Sequence, residues 1–94
     1  MSSSKLAAIH TLNGRIAEID EEILQAGAEV DMLRHLDDDA RRDALVTDNS
    51  EDRQVARMTA KDLSRAERYV ERLRRERAKL VEKRDKSIQK LARS

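Results

Sequence analysis

Apolar side chains recur at alternating steps of three and four from Ile9 onward: Ile9, Leu12, Ile16, Ile19, Ile23, Ala26, Val30 and Leu33. With Ile9 assigned to position a of a heptad abcdefg, each of these falls at a or d, the signature of a coiled-coil seam. Asp37 and Ala40 continue the register, but Asp37 sets a charge where an apolar knob belongs, so the seam weakens toward its far end. Leu36, Leu45 and Val46 stand nearby and are expected to close that end over. A second series runs through Ala56, Thr59, Leu63, Ala66, Val70, Leu73, Arg77, Leu80, Arg84, Ser87 and Leu91.

Between the two series lies Thr47-Asp48-Asn49-Ser50, whose short polar side chains bond to nearby backbone and favour turns and caps. The pattern predicts an all-α fold in a single domain: helix one over about 4–46, a turn over about 47–50 and helix two over about 50–92. Ser3 or Ser4 is the expected N-cap of the first helix, and Asn49 with Asp52 three residues on resembles a capping box for the second. Glu51 and Asp52 suit the positive end of that second helix.

The two seams can be tested against each other. If the chain reverses at Asp48, facing positions must sum to about 96, and Leu33 then meets Leu63, Val30 meets Ala66, Ala26 meets Val70, Ile23 meets Leu73 and Ile16 meets Leu80. Every a position faces a d position, as an antiparallel pair requires, in arms roughly 60 Å long at about 1.5 Å per residue. The charged flanks agree less well with this register. It places Asp20 near Arg74, an attraction, but Glu22 near Glu76 and Arg15 near Lys83, both repulsions. Exposed pairs of this kind are worth about 1 kcal/mol or less, so the apolar seam decides. The rival architecture is one uninterrupted helix in a parallel dimer.

A two-stranded hairpin buries a single stripe per helix and leaves Leu6, Leu24, Leu36, Tyr69, Val81 and Ile88 outside it. Val81 and Ile88, both at e, widen the apolar face of the second helix in the way a third or fourth helix would cover. Leu6, Val81 and Ile88 are therefore the candidate self-association residues, and a homodimeric four-helix bundle, or another multi-helix assembly, is favoured over a lone monomer.

Composition supports helices and limits what they can do. Leu, Ile and Val together supply only 20 of 94 residues while charged residues make up 41%, which is close to the composition of disordered chains. The absence of proline, only two glycines and twelve alanines point instead to long helices. With no cysteine there is neither a disulfide nor a thiolate zinc site. No apolar run reaches the length of a signal peptide core or of the roughly 20-residue membrane span, so a cytoplasmic setting without a membrane span is expected.

Candidate chemistry is sparse. His10 and His35 lie far apart on one arm and cannot share a metal within one hairpin. Asp37, Asp38 and Asp39 diverge around a helix, with Asp37–Arg41 and Asp38–Arg42 expected as i,i+4 pairs rather than as a cation site. Glu18, Asp20, Glu21 and Glu22 read as a solvated face. Gly14 and Gly27 belong to no phosphate-binding loop, although Gly27 beside Ala26 would allow another helix to come close. No catalytic residue, cofactor, metal or small-molecule substrate is expected.

Charge distribution is the most informative feature. Residues 1–48 carry 5 basic and 11 acidic side chains, and residues 49–94 carry 15 and 8, so a net +1 conceals halves of −6 and +7. Arg72, Arg74, Arg75, Lys79, Lys83 and Lys86 form the candidate interaction surface on the second helix. Arg77 and Arg84 belong to the same tract but occupy a positions, where their stems can cover apolar area while the heads reach water. The expected role is a non-enzymatic helical-hairpin module that binds protein, as adaptor, regulator or assembly component. The alternative is a nucleic-acid binder that grips the phosphate backbone, a reading weakened because Tyr69 is the sole aromatic residue available for stacking. A hairpin predicts a short distance between spin labels at Glu29 and Glu67 in samples diluted with unlabelled chain. A value near the 57 Å or so of a continuous helix, at about 1.5 Å per residue, sinks it.

Overall fold

The structure, a computed structural model, describes residues 2–93. Alanine, leucine and the straight-chain charged residues carry two helices, α1 (Ser2–Thr47) and α2 (Ser50–Arg93), which form an antiparallel hairpin. The helix ends differ from expectation by one to two residues, and Ser3 and Ser4 stand inside α1 rather than before it.

Reversal takes only two residues. Asp48 leaves α1 in the left-handed region at φ 49°, and its N–H still donates to the Ala44 carbonyl at 3.1 Å. Asn49 then caps α2: its side-chain Oδ1 accepts from the Asp52 N–H at 2.8 Å, and its carbonyl accepts from Arg53 N–H at 3.2 Å. The Asp52 carboxylate does not complete the reciprocal box. It meets the Thr47 hydroxyl instead, which ties the last residue of α1 to the first turn of α2. Arg53 reaches back to Asp48 at 2.8 Å and closes the turn from outside.

Contacts between the helices gather into two units: α1 through Ile23 with α2 from Arg72 onward, and Leu24–Glu71. In the first unit Ile9, Ile16, Ile19 and Leu73 are buried, with Leu12, Ile23 and Leu80 half-buried. Ile19 is fully enclosed, which is worth about 3 kcal/mol at most relative to exposure. In the second unit the core is of small residues: Ala26, Val30, Ala40 and Val70 are buried, and Leu33, Leu63, Ala66 and Ala56 are half-buried. Every a and d position from Ile9 to Ala40 and from Ala56 to Leu91 is buried or half-buried, so the seam runs as the heptads require. Leu45 and Val46 do not close the turn end. They are 83% and 84% exposed, because Ala44 takes the inward position there.

Asp48 generates a direct test. A side chain branched at Cβ suffers most in the left-handed region, where a non-glycine residue costs about 1–2 kcal/mol. Asp48→Val should therefore lower the melting temperature of the hairpin, while Asp48→Gly should hold or raise it. Equal melting temperatures for the two variants would mean that the turn does not need this conformation.

Candidate interaction surfaces

A buried charge and two charged core positions decide how much of this chain's surface is available. Asp37, at a and only 5% exposed, is answered across the seam by Thr59, whose hydroxyl donates at 3.3 Å, and along its own helix by Arg41 at 3.2 Å. Thr59 also reaches the Ala56 carbonyl at 3.0 Å, so its single proton is shared. The expected weakness of the seam at Asp37 is thus a bonded polar layer. No buried side-chain nitrogen or oxygen among the described residues is left without a partner.

Arg77 and Arg84 repeat one arrangement a heptad apart in the first unit. Arg77 faces Ile19 in the seam, and its guanidinium turns aside to the carboxylate of Asp20, the next residue, with Nη2 to Oδ2 at 3.4 Å. Ile19 is fully buried although the register sets an arginine opposite it, as a stem lying along apolar surface with its head on Asp20 allows. Arg84 faces Leu12 and donates to Asn13 Oδ1 at 3.2 Å, again the following residue, while also pairing with Asp85 at 3.1 Å. The Arg77 guanidinium is held above its ordinary pKa, chiefly by the hydrogen bond to Asp20. A raised arginine stays charged throughout the ordinary pH range, so this stabilisation is present there and would be lost only in strong alkali.

The flanks correct the expected repulsions. Asp20 bonds the a-position Arg77, and the expected repulsions are resolved by Arg15. Its guanidinium spans Glu76 at 3.1 Å, Glu18 at 3.2 Å and Glu22 at 3.4 Å, so Glu22 and Glu76 share a cation and Arg15 is turned toward them rather than toward Lys83. Glu76 and then Glu18, by hydrogen bonding, raise the Arg15 pKa above its ordinary value. In the second unit Arg34 bridges Asp31 and Glu67, each at 3.6 Å. Arg15–Glu76 joins two g positions and Arg34–Glu67 two e positions, the flank pairing that belongs to antiparallel helices in this register.

The basic tract is smaller than its sequence implies. Lys86 pairs with Glu82 at 3.1 Å, Arg77 and Arg84 are engaged, and Arg72 and Arg74 also hold interactions. Arg75, Lys79 and Lys83 remain exposed without an ion pair among the described residues. Leu6 and Ile88 are each 45% exposed and Val81 is half-buried, all three at e in the first unit.

The aspartate run splits three ways. Asp37 enters the seam, Asp38 pairs with Arg41 at 2.6 Å and Asp39 pairs with Arg42, so the i,i+4 pair Asp38–Arg42 does not form. Among the described residues there is no group of three or more His, Asp or Glu placed to hold a metal, and no helix long and apolar enough to cross a membrane. His10 and His35 are both exposed. A Cβ added at Gly14 or Gly27 meets nothing within 4 Å, so no packing within the hairpin requires either glycine. A shallow depression of about 390 Å³ beside the turn is lined by Arg41, Ala44, Leu45, Asp48, Arg53 and Ala56. Its two arginines are committed to carboxylates and offer it no free cation.

Comparison with known proteins gives no matching family model, no matching curated protein and no matching solved structure. Function therefore has to be argued from these surfaces. Sequence reasoning missed Met32, Val55 and Met58, which are 55%, 49% and 57% exposed. The signal for them was present in the heptads, since they sit at c and g rather than at a or d.

Removing one partner of the polar layer leaves the other buried and under-bonded, at a cost of about 1–3 kcal/mol. Thr59→Val should accordingly lower stability in urea. The double variant Asp37→Leu/Thr59→Val should recover the loss and exceed the parent, because an apolar pair of similar shape replaces a desolvated polar one. A double variant less stable than Thr59→Val alone would show that Asp37 does more than satisfy this layer.

Proposed function

We propose that the chain is a non-enzymatic helical-hairpin interaction module, a small adaptor, regulator or assembly component that binds protein and works in the cytoplasm. The observation that carries this reading is the exposure of large apolar side chains on helices whose a/d seam is already satisfied within the hairpin. Apolar flanks beside a closed seam gain most by covering a further helix. Self-association through Leu6, Val81 and Ile88 is part of the proposal, since all three lie on the e flank of one unit. Replacing Val81 and Ile88 together with Glu should reduce the sedimenting mass and keep the helical signal.

A second reading is favoured by Arg75, Lys79 and Lys83, three exposed cations without an ion pair that could track phosphates along a nucleic-acid backbone. The internal use of Arg77, Arg84 and Lys86 weakens it, as does the lack of aromatic stacking partners beyond Tyr69.

Titration with random duplex DNA, duplex RNA and single strands at about 0.15 M salt separates the two readings. The protein-binding reading expects dissociation constants weaker than about 10 μM, as for non-specific electrostatic contacts alone. Submicromolar binding that is lost on Arg75→Glu/Lys79→Glu/Lys83→Glu would replace it with the nucleic-acid reading. In parallel, material captured from the native host with and without nuclease treatment should retain its protein partners.

A further inference from the structure

The g positions of an ordinary two-stranded coiled coil carry charge, because they border solvent on both sides of the seam. The unit containing both chain ends follows this rule on its g flank, with Arg15, Glu22, Glu76 and Lys83. The unit of Leu24–Glu71 breaks it. There Leu36 and Val55 hold g positions, one on each helix, and both are 49% exposed. The register that joins Thr59 to Asp37 across the seam of this unit sets Leu36 opposite Val55 on its g flank. Met32 and Met58, at c, extend the same flank outward on either side, so two helices present four apolar side chains along one groove. The e positions of this unit carry the Arg34–Glu67 pair, and its exposed Leu24 and Leu45 lie apart at b, near the two ends of the unit.

Charge around the groove is acidic in balance. Glu29, Asp43 and Asp62 occupy the other g positions there apart from Tyr69, all three are exposed, and none holds an ion pair among the described residues. Arg65 is the only basic residue at a g or c position of this unit. Elsewhere in the hairpin carboxylates at the flanks are answered, as Glu22 and Glu76 are by Arg15 and Glu67 by Arg34. Unanswered carboxylates bordering exposed methionine and aliphatic side chains match one kind of occupant. Methionine is unbranched and adapts to a partner's shape, and a groove between two antiparallel helices accepts a third.

We infer that the g flank of Leu24–Glu71 docks an amphipathic helix of another protein, with an apolar stripe set on Met32, Leu36, Val55 and Met58 and lysine or arginine borders facing Glu29, Asp43 and Asp62. This rests on the reading of the chain as a protein-interaction module and names the chemistry of one partner. A second copy of this chain fits less well. The g and c positions of α2 from Arg72 to Arg93 are all charged and supply no apolar stripe. The apolar e flank at Val81 and Ile88 is bordered by arginines already engaged with Asp20 and Asn13.

The test uses two synthetic helical peptides with the same leucine stripe, one bordered by lysine and one by glutamate, and the full chain labelled with 13C at its methionine methyl groups. The methyl signals of Met32 and Met58, assigned from single Met→Leu variants, should shift on titration with the lysine peptide. Affinity for the lysine peptide should exceed that for the glutamate peptide by about tenfold or more, and Asp43→Lys/Asp62→Lys should reverse the order. Met32→Glu/Met58→Glu should weaken the lysine peptide at least about tenfold, as loss of central apolar anchors does. All four side chains are half or more exposed or border solvent, so circular dichroism should show these variants fully helical. His10→Ala, at an exposed position of the other unit, should bind as the parent does. Equal affinity for both peptides, or methionine signals that do not move, overturns the docking site and leaves the broader module reading standing on its host partners. A parent dimer that dissociates only in the Met32→Glu/Met58→Glu variant also overturns it, by showing that a second copy covers this flank.

Discussion

The register in which the a and d positions of α1 meet those of α2 is the constraint on which the other features of this hairpin depend. A shift of one heptad would keep apolar residues in the seam but separate Asp37 from Thr59, leaving a carboxylate buried with only Arg41 to answer it. It would also move Arg77 and Arg84 away from Asp20 and Asn13. Individually these polar contacts are modest, and several are too exposed to carry much stability. The Asp37–Thr59 layer penalises the wrong alignment most, because a one-heptad slip leaves the buried carboxylate without its hydroxyl, whereas Arg77 and Arg84, a heptad apart, would only trade one acceptor for the other.

Charged residues at core positions also change what the surface offers. The tract from Arg72 to Arg93 carries a sequence charge of +7, yet its two a-position arginines spend their guanidinia on α1 and Lys86 spends its ammonium on Glu82. What remains outward is a short strip around Arg75, Lys79 and Lys83, with Arg72 and Arg74 engaged beside it. A formal charge count treats every lysine and arginine alike and so overstates the field a partner would meet.

The two units differ in which flank they leave apolar. In the unit containing the chain ends it is the e flank, through Leu6, Val81 and Ile88; in Leu24–Glu71 it is the g flank, through Leu36 and Val55 with the methionines beside them. In each unit the apolar residues at flank positions gather on one side of the seam, while the other side carries ion pairs.

The chain by itself determined the fold class, the point of reversal and the seam, because these rest on local quantities: helix propensity, a 3-4 apolar period and the short polar side chains at Asp48 and Asn49. Facing positions followed from the same period, since an antiparallel pair has one reversal point and therefore one alignment. The tertiary structure decided what periodicity leaves open. Long arginine side chains can reach several acceptors within one turn, and only packing selected Glu76, Glu18 and Glu22 for Arg15 and Asp20 for Arg77. The same freedom replaced the expected Asp38–Arg42 pair with Asp38–Arg41 and Asp39–Arg42. Leu45 and Val46 were read as closing the turn end, but the two-residue turn brings no chain across them and they stay in solvent. Val55 and Met58 gained meaning only once α2 was laid against α1, since an apolar residue at g is an isolated detail on one helix and part of a groove on two.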